Sequence, residues 1–115
     1  MRRVIGVDPG SRKTGYGIIE ISLSKINYVT SGHISVDHEV FPKRLGIIYS
    51  EVLELATSYE VQEMAIEDVF LAKNPNSALK LGQARGVAIA AGIAKDLEIF
   101  EYAARQVKKT IVGKG

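Results

Sequence analysis

The sequence predicts an α/β fold built on one mixed sheet of five strands. Three apolar stretches near the start are separated by short turns, which is typical of an antiparallel meander. Two helical stretches then alternate with two short buried strands, an order that adds parallel strands to the meander. The 115 residues suit a single domain spanning residues 1–115, and none of them is cysteine. Thiolate metal sites and cysteine nucleophiles are therefore excluded.

The meander follows from β-branched and alternating residues. Val4, Ile5 and Val7 predict a strand covered on both faces, and residues 14–21 predict a second strand rich in isoleucine. In residues 25–36 an apolar series that begins with Ile26 and Tyr28 alternates with a more polar one. This period of two predicts a third strand with one face towards solvent.

The second half of the chain predicts two helical crossovers. Residues 42–59 repeat apolar side chains at intervals of three and four, with Pro42 in the first turn, and a short strand over residues 64–67 follows. A longer helix is expected over residues 76–96, capped by Asn76 or Ser77, and a last strand over residues 99–102. Strands that are joined through helices should run parallel to the first strand.

Two carboxylates stand at the ends of predicted strands. Asp8 ends the first strand directly before Pro9-Gly10, and Glu67 ends the fourth. If these strands are neighbours, the two carboxylates meet at one sheet edge, where they share a proton or hold a divalent cation. The alternative is that Asp8 caps its own turn and Glu67 lies at a solvated strand end. Asp68 points to the opposite side of the strand and is the weaker candidate.

Charge is divided unevenly along a chain whose net charge is +2. The first 69 residues are net acidic and the remainder net basic, which fits a nucleic-acid enzyme, although a solvated basic face explains the charge equally well. The predicted DNA contacts lie in the first glycine-rich turn, in the loop after the fourth strand and after the last strand: Arg12, Phe70, Lys73, Asn74, Arg105 and Lys108. The two histidines, His33 and His38, are interpreted as isolated surface or strand residues without a catalytic role.

Small residues recur at every fourth position of the long helix: Ala78, Gly82, Gly86, Ala90 and Ala94. Glycine in a helix costs about 1 kcal/mol, so this ridge predicts the close approach of another backbone. That backbone belongs either to the sheet or to a second subunit. No apolar stretch predicts a membrane span or a signal peptide, so the cytoplasm is the expected location.

Residues 6–19, 65–90 and 100–115 resemble, in order and spacing, three sequence blocks of the RuvC family of Holliday-junction resolvases. The resemblance implies an RNase H-like fold and a homodimer that binds four-way DNA junctions in recombination and repair. It also implies Mg²⁺-dependent hydrolysis of phosphodiester bonds, with Mn²⁺ as a substitute, and RuvA and RuvB as partners. Asp8 and Glu67 match the first two catalytic, metal-binding carboxylates of the family. Phe70 matches the aromatic residue at the junction centre, and Lys108 matches a basic residue near the scissile phosphate.

The chain departs from the family pattern in one respect. The family's D-x-x-D pair on a C-terminal helix has no counterpart in these 115 residues. We therefore expect a chain truncated before that helix and impaired in catalysis, since two carboxylates are too few for two hard cations. One alternative is a non-catalytic, junction-binding homodimer. Another is half of an actin-like or sugar-kinase ATPase, which the length and the absence of a second phosphate loop disfavour.

Overall fold

The computed structural model describes residues 1–68 and 74–103, which form a five-stranded sheet with two helices. The elements are β1 (Arg2–Asp8), β2 (Lys13–Ser22), β3 (Lys25–Ser35), α1 (Phe41–Ser58), β4 (Glu63–Asp68), α2 (Pro75–Ala94) and β5 (Glu98–Ala103). The strands lie in the order β3-β2-β1-β4-β5. β1, β2 and β3 pair antiparallel, whereas β4 and β5 run parallel to β1. The predicted mixed sheet, with β4 beside β1, is confirmed.

Both helices pack on the same face of the sheet. Alternate residues of the central strands, such as Ile5 and Ile66, are fully buried there against Ile48 of α1 and Ala88 of α2. Because side chains alternate along a strand, the residues between them point to the opposite side. We call that side, which carries Gly6, Asp8 and Glu67, the open face. Within residues 1–68 and 74–103 it carries no helix.

A bulge in the pairing of β2 with β3 changes which side chains β3 presents to the core. The register shifts between Ile18 and Ile19, so that Thr30 lies opposite Ile18 while Tyr28 lies opposite Ile19. An extra residue in one strand reverses the alternation beyond it. Tyr28 is consequently 72% exposed and Ile26 is 69% exposed, on the open face. The alternation of residues 25–36 predicts one solvent face along the whole strand, and the bulge breaks that alternation at Ile26 and Tyr28.

The long helix begins at Pro75, one residue earlier than predicted, and ends at Ala94, two residues earlier than predicted. Its N-cap is Asn74, whose Oδ1 accepts hydrogen bonds from the backbone N–H groups of Asn76 at 2.8 Å and Ser77 at 3.4 Å. Pro75 occupies the first helical position, where a backbone N–H would have no hydrogen-bond partner within the helix. The prediction of Asn76 or Ser77 as the cap is therefore wrong, because both lie inside the first turn.

The ridge of small residues on α2 does not pack on the sheet. The helix buries Ala84, Ala88, Ala91 and Gly92, whereas Gly82, Gly86 and Ala90 are exposed. A Cβ atom added to Gly82 or Gly86 would have no heavy atom of the described residues within 4 Å beyond its own helix. Of the two backbones that could approach the ridge, the sheet is therefore excluded. No helix of the described residues is long and apolar enough to cross a membrane.

The turn between β2 and β3 holds a strained residue. Leu23 has φ +52°, in the left-handed region that a branched side chain disfavours. Leu23→Gly should raise the free energy of unfolding by about 1 kcal/mol. Urea denaturation of the two proteins measures this difference. Ser24→Gly is the control, because Ser24 does not have a positive φ and should gain nothing; equal gains from both substitutions would contradict the explanation.

Candidate active site

One row of side-chain positions crosses the open face at the carboxyl ends of β1 and β4: Tyr102, Glu67, Asp8, Gly15 and His33. Asp8 lies opposite Gly15, Gly15 opposite His33, and Glu67 opposite Tyr102. Val7 lies opposite Ile66 in the parallel pair, so the next residues, Asp8 and Glu67, are neighbours in the same row. The structure thus brings together the two carboxylates that the sequence singled out.

The pKa of Tyr102 reflects its burial and the negative charges in this row. Burial raises the pKa of its phenol above the usual 10.0, and the negative charges of Glu67 and then Asp8 raise it further. Both carboxylates therefore act on one phenol. The sign of these effects favours the neutral phenol at ordinary pH, so Tyr102 supplies an O–H donor beside two acidic side chains.

The row borders a cavity of about 390 Å³ on the open face. Four glycines contribute bare backbone to its lining, Gly6, Gly15, Gly17 and Gly32, while the polar side chains include those of Asp8, Tyr102 and His33. The interpretation of His33 as an isolated residue is therefore wrong, because His33 lines the same cavity as Asp8. Sequence reasoning missed it because the pairing of β3 with β2, which brings His33 opposite Gly15, is a long-range property.

The turn after β1 fixes the position of Asp8. The hydroxyl of buried Thr14 accepts a hydrogen bond from the backbone N–H of Gly10 at 3.2 Å and lies 3.0 Å from the Gly10 carbonyl, to which it can donate. A Cβ atom on Gly10 would lie 2.1 Å from the Lys13 carbonyl oxygen, so this turn requires glycine. Among the described residues Thr14, not Asp8, caps the turn. The carboxylate of Asp8 is exposed on the open face and free of that structural role.

Arg85 of α2 holds the end of β4 from the helix-covered side. Its Nε donates to the backbone carbonyl of Glu67 at 2.9 Å, and its guanidinium also pairs with Asp68 at 2.9 Å and Glu101 at 2.5 Å. The Arg85 side chain is 14% exposed. Asp68 therefore faces away from the open face, as predicted. Sequence reasoning missed Arg85, although a lone cation between Ala84 and Gly86 in an apolar stretch was an available signal.

The carboxylates of this row suit a hard divalent cation. Mg²⁺ prefers carboxylate oxygens and keeps several waters, which two adjacent side chains on rigid strand ends permit. Asp8 is exposed and Glu67 half-buried, so both face solvent that can complete the coordination. No group of three or more acidic or histidine side chains in metal-binding geometry occurs in residues 1–68 and 74–103. Asp8 and Glu67 thus fit one such cation whose remaining ligands come from elsewhere.

The other predicted site residues divide into two groups. Arg12 is exposed in the turn after β1, and its carbonyl accepts a hydrogen bond from the Val36 N–H at 2.9 Å. Asn74 caps α2 with its side-chain oxygen. The remaining four, Phe70, Lys73, Arg105 and Lys108, lie outside the described residues.

The strand order, with β1, β2 and β3 antiparallel and β4 and β5 parallel to β1, is that of an RNase H-like fold, and two acidic side chains lie side by side at its neighbouring strand ends. A family model described as crossover junction endodeoxyribonuclease RuvC matches residues 4–115. A protein of that name from Serratia proteamaculans is 56% identical over 115 residues, covering all of this chain and 66% of the relative. The chain belongs to the RuvC family, and it spans about two thirds of the length of this curated relative.

Solved structures agree with this assignment. Thermus thermophilus RuvC superposes with a TM-score of 0.85 at 25% identity, covering 96% of this chain and 69% of that one. The RuvC of that organism in complex with a Holliday junction substrate gives 0.84 at 24% identity, over 95% and 69% of the two chains, and shows the shared fold.

Proposed function

We propose that this protein is an endonuclease that resolves four-way DNA junctions by Mg²⁺-dependent hydrolysis of phosphodiester bonds. The observation that carries the proposal is the adjacency of Asp8 and Glu67 in one row of the open face. Membership of the RuvC family supplies the substrate class, since the relatives are named crossover junction endodeoxyribonucleases. We also propose that the protein acts in the cytoplasm, with RuvA and RuvB as its partners.

In this proposal each residue of the row has a definite task. Asp8 and Glu67 hold Mg²⁺, or Mn²⁺ in its place. A cation held there would supply Lewis-acid activation of the water that attacks the phosphodiester. Tyr102 places a neutral phenol beside the two carboxylates, and Arg85 fixes the main chain of Glu67 so that its carboxylate stays on the open face.

In this proposal basic and polar side chains contact the DNA backbone. The proposed contacts are Arg12, Lys73, Asn74, Arg105 and Lys108, with Phe70 engaging the bases at the junction centre. Cations on phosphates give affinity without sequence information, whereas an aromatic residue at the centre favours unstacked bases. The combination suits recognition of a branched structure rather than of a base sequence.

We further propose that the exposed face of α2 forms a homodimer. The ridge of Ala78, Gly82, Gly86 and Ala90 is flanked by large apolar side chains that are open to solvent. Leu79 is 63% exposed and Ile93 is 58% exposed. Small residues between exposed apolar ones allow two backbones to approach closely and bury the flanking side chains.

A bulky residue in the ridge tests the dimer. Gly86→Leu should improve helix propensity by about 1 kcal/mol and yet shift the protein towards the monomer, because the leucine separates the two backbones. Sedimentation measures the association. Gly46→Leu on α1 is the matched control, since Gly46 also has no heavy atom of the described residues within 4 Å of a built Cβ. Unchanged association of the Gly86 variant would rule out this surface.

A second candidate is a homodimer that binds junctions without cutting them. It is favoured for these 115 residues alone, because the sequence has no D-x-x-D pair and no third ligand joins Asp8 and Glu67 among the described residues. Two protein carboxylates leave most positions of an octahedral ion to water and DNA phosphates.

A gel assay on a labelled four-way junction distinguishes the two candidates. It compares these 115 residues with an extended chain, in which the family's C-terminal D-x-x-D segment follows residue 115. Both should bind the junction in EDTA and bind a linear duplex more weakly. Only the extended chain should nick the junction in Mg²⁺. Absence of nicking by the extended chain would overturn the proposed endonuclease, and absence of junction selectivity would overturn both candidates.

A further inference from the structure

His33 faces the acidic part of the row across a gap in the side chains. A Cβ atom placed on Gly15 would lie 3.7 Å from the Asp8 Cβ and 3.7 Å from the His33 Nε2. The three residues are opposite one another on β1, β2 and β3. Because Gly15 has no side chain, the imidazole leans over its backbone towards Asp8.

The spacing of strands sets the size of this gap. Neighbouring strands lie about 4.8 Å apart, so Asp8 and His33 start from backbones about 10 Å apart and reach towards each other over Gly15. Nothing larger than hydrogen fills the position between them on β2. A polar ligand in this gap would lie on the bare backbone of Gly15, with the Asp8 carboxylate on one side and the His33 imidazole on the other.

The side chains around the gap favour a phosphate group as the ligand, bound to a cation that Asp8 holds. Among the described residues His33, Asp8 and Glu67 do not form a three-ligand group, and an imidazole nitrogen is not the oxygen ligand that Mg²⁺ prefers. An imidazole always offers at least one N–H donor, and a phosphodiester has two non-bridging oxygens that accept. A cation held by Asp8 would place such an oxygen near the bare backbone of Gly15, which the His33 ring overhangs.

We propose that His33 donates a hydrogen bond to the phosphodiester group that is bound at Asp8. This inference rests on the proposed function, because it takes the scissile phosphate of DNA as the ligand. It assigns to β3 a substrate contact that complements the carboxylates of β1 and β4. His33 is exposed, so the contact needs no opening of the core.

Imidazole NMR of the 115-residue protein tests the contact directly. The chain has two histidines, His33 and His38, and ¹⁵N labelling of histidine gives each its own signals. Saturation with a four-way junction in Mg²⁺ should shift the His33 signals and leave those of His38 in place, since His38 lies in the connection before α1. Unshifted His33 signals in a saturated complex would overturn this inference alone. Absence of junction binding by the unsubstituted protein would overturn the proposed function as well.

Affinity measurements provide the second arm. His33→Ala should weaken junction binding in Mg²⁺ by roughly threefold to tenfold, the range for one lost hydrogen bond, and His38→Ala should not change it. His33→Gln keeps an N–H donor of similar reach and should recover most of the loss. A glutamine variant that binds no better than the alanine variant would overturn the hydrogen-bonding role.

Discussion

Asp8→Asn in the extended chain is expected to lower the rate of junction cleavage by roughly 10³-fold. The substitution keeps the size of the side chain but removes the charge that holds the cation, and loss of several kcal/mol of transition-state stabilisation corresponds to about this factor. Junction binding in EDTA should be retained. The melting temperature should stay constant or rise, because two like charges no longer lie side by side on β1 and β4.

The neighbouring acidic residues provide the matched comparison. Glu67→Gln should reproduce the effect of Asp8→Asn, since both side chains belong to the same row. Asp68→Asn should reduce cleavage much less, because Asp68 pairs with Arg85 on the opposite side of the sheet. Rates are measured by single-turnover nicking of a labelled junction. Equal losses from Asp68→Asn and Glu67→Gln would contradict the assignment of the open face as the active site.

Arg85→Ala is expected to lower both stability and cleavage. It removes three hydrogen bonds at the ends of β4 and β5, one of them to the Glu67 carbonyl. The carboxylates of Asp68 and Glu101 are half-exposed, which weakens their share, so we expect a loss of about 2 kcal/mol in the free energy of unfolding. Cleavage by the extended chain should fall further than the stability loss alone explains, because the Glu67 backbone is released.

Two other substitutions separate positioning from stability. Arg3→Ala removes side-chain hydrogen bonds at the opposite end of the sheet, where Arg3 donates to Glu20 and to the Tyr59 carbonyl. This substitution should lower the free energy of unfolding. It should not slow cleavage at a temperature where the protein is folded. Arg85→Lys keeps the charge but not the fork of donors and should recover stability better than cleavage. Urea denaturation and nicking rates measure the two effects. Equal cleavage by Arg3→Ala and Arg85→Ala at matched stability would rule out a positioning role.

The sheet and its two carboxylates could be predicted because they depend on local pattern. The short apolar runs around Val4 and Ile66 mark buried strands, and a crossover helix makes β4 run parallel to β1. Once the two strands are neighbours, the acidic residues that end them must meet. The same logic places Asp68 on the other side, where Arg85 holds it.

Features that depend on pairing between distant residues could not be predicted. The bulge opposite Ile18 and Ile19 turns Tyr28 outwards, and no local signal in residues 25–36 reveals it. His33 comes to face Asp8 only because β3 pairs with β2 in one register. The Asn74 cap is different, because an asparagine directly before Pro75 is a local signal that the apolar periodicity obscured.

The central claim, that Asp8 and Glu67 together hold the catalytic cation, is tested most directly by Mn²⁺ binding. Electron paramagnetic resonance of free Mn²⁺ measures binding to the 115-residue protein saturated with a four-way junction. We expect specific binding that either Asp8→Asn or Glu67→Gln removes and that Asp68→Asn leaves intact. Undiminished Mn²⁺ binding by both the Asp8 and the Glu67 variants would contradict the account.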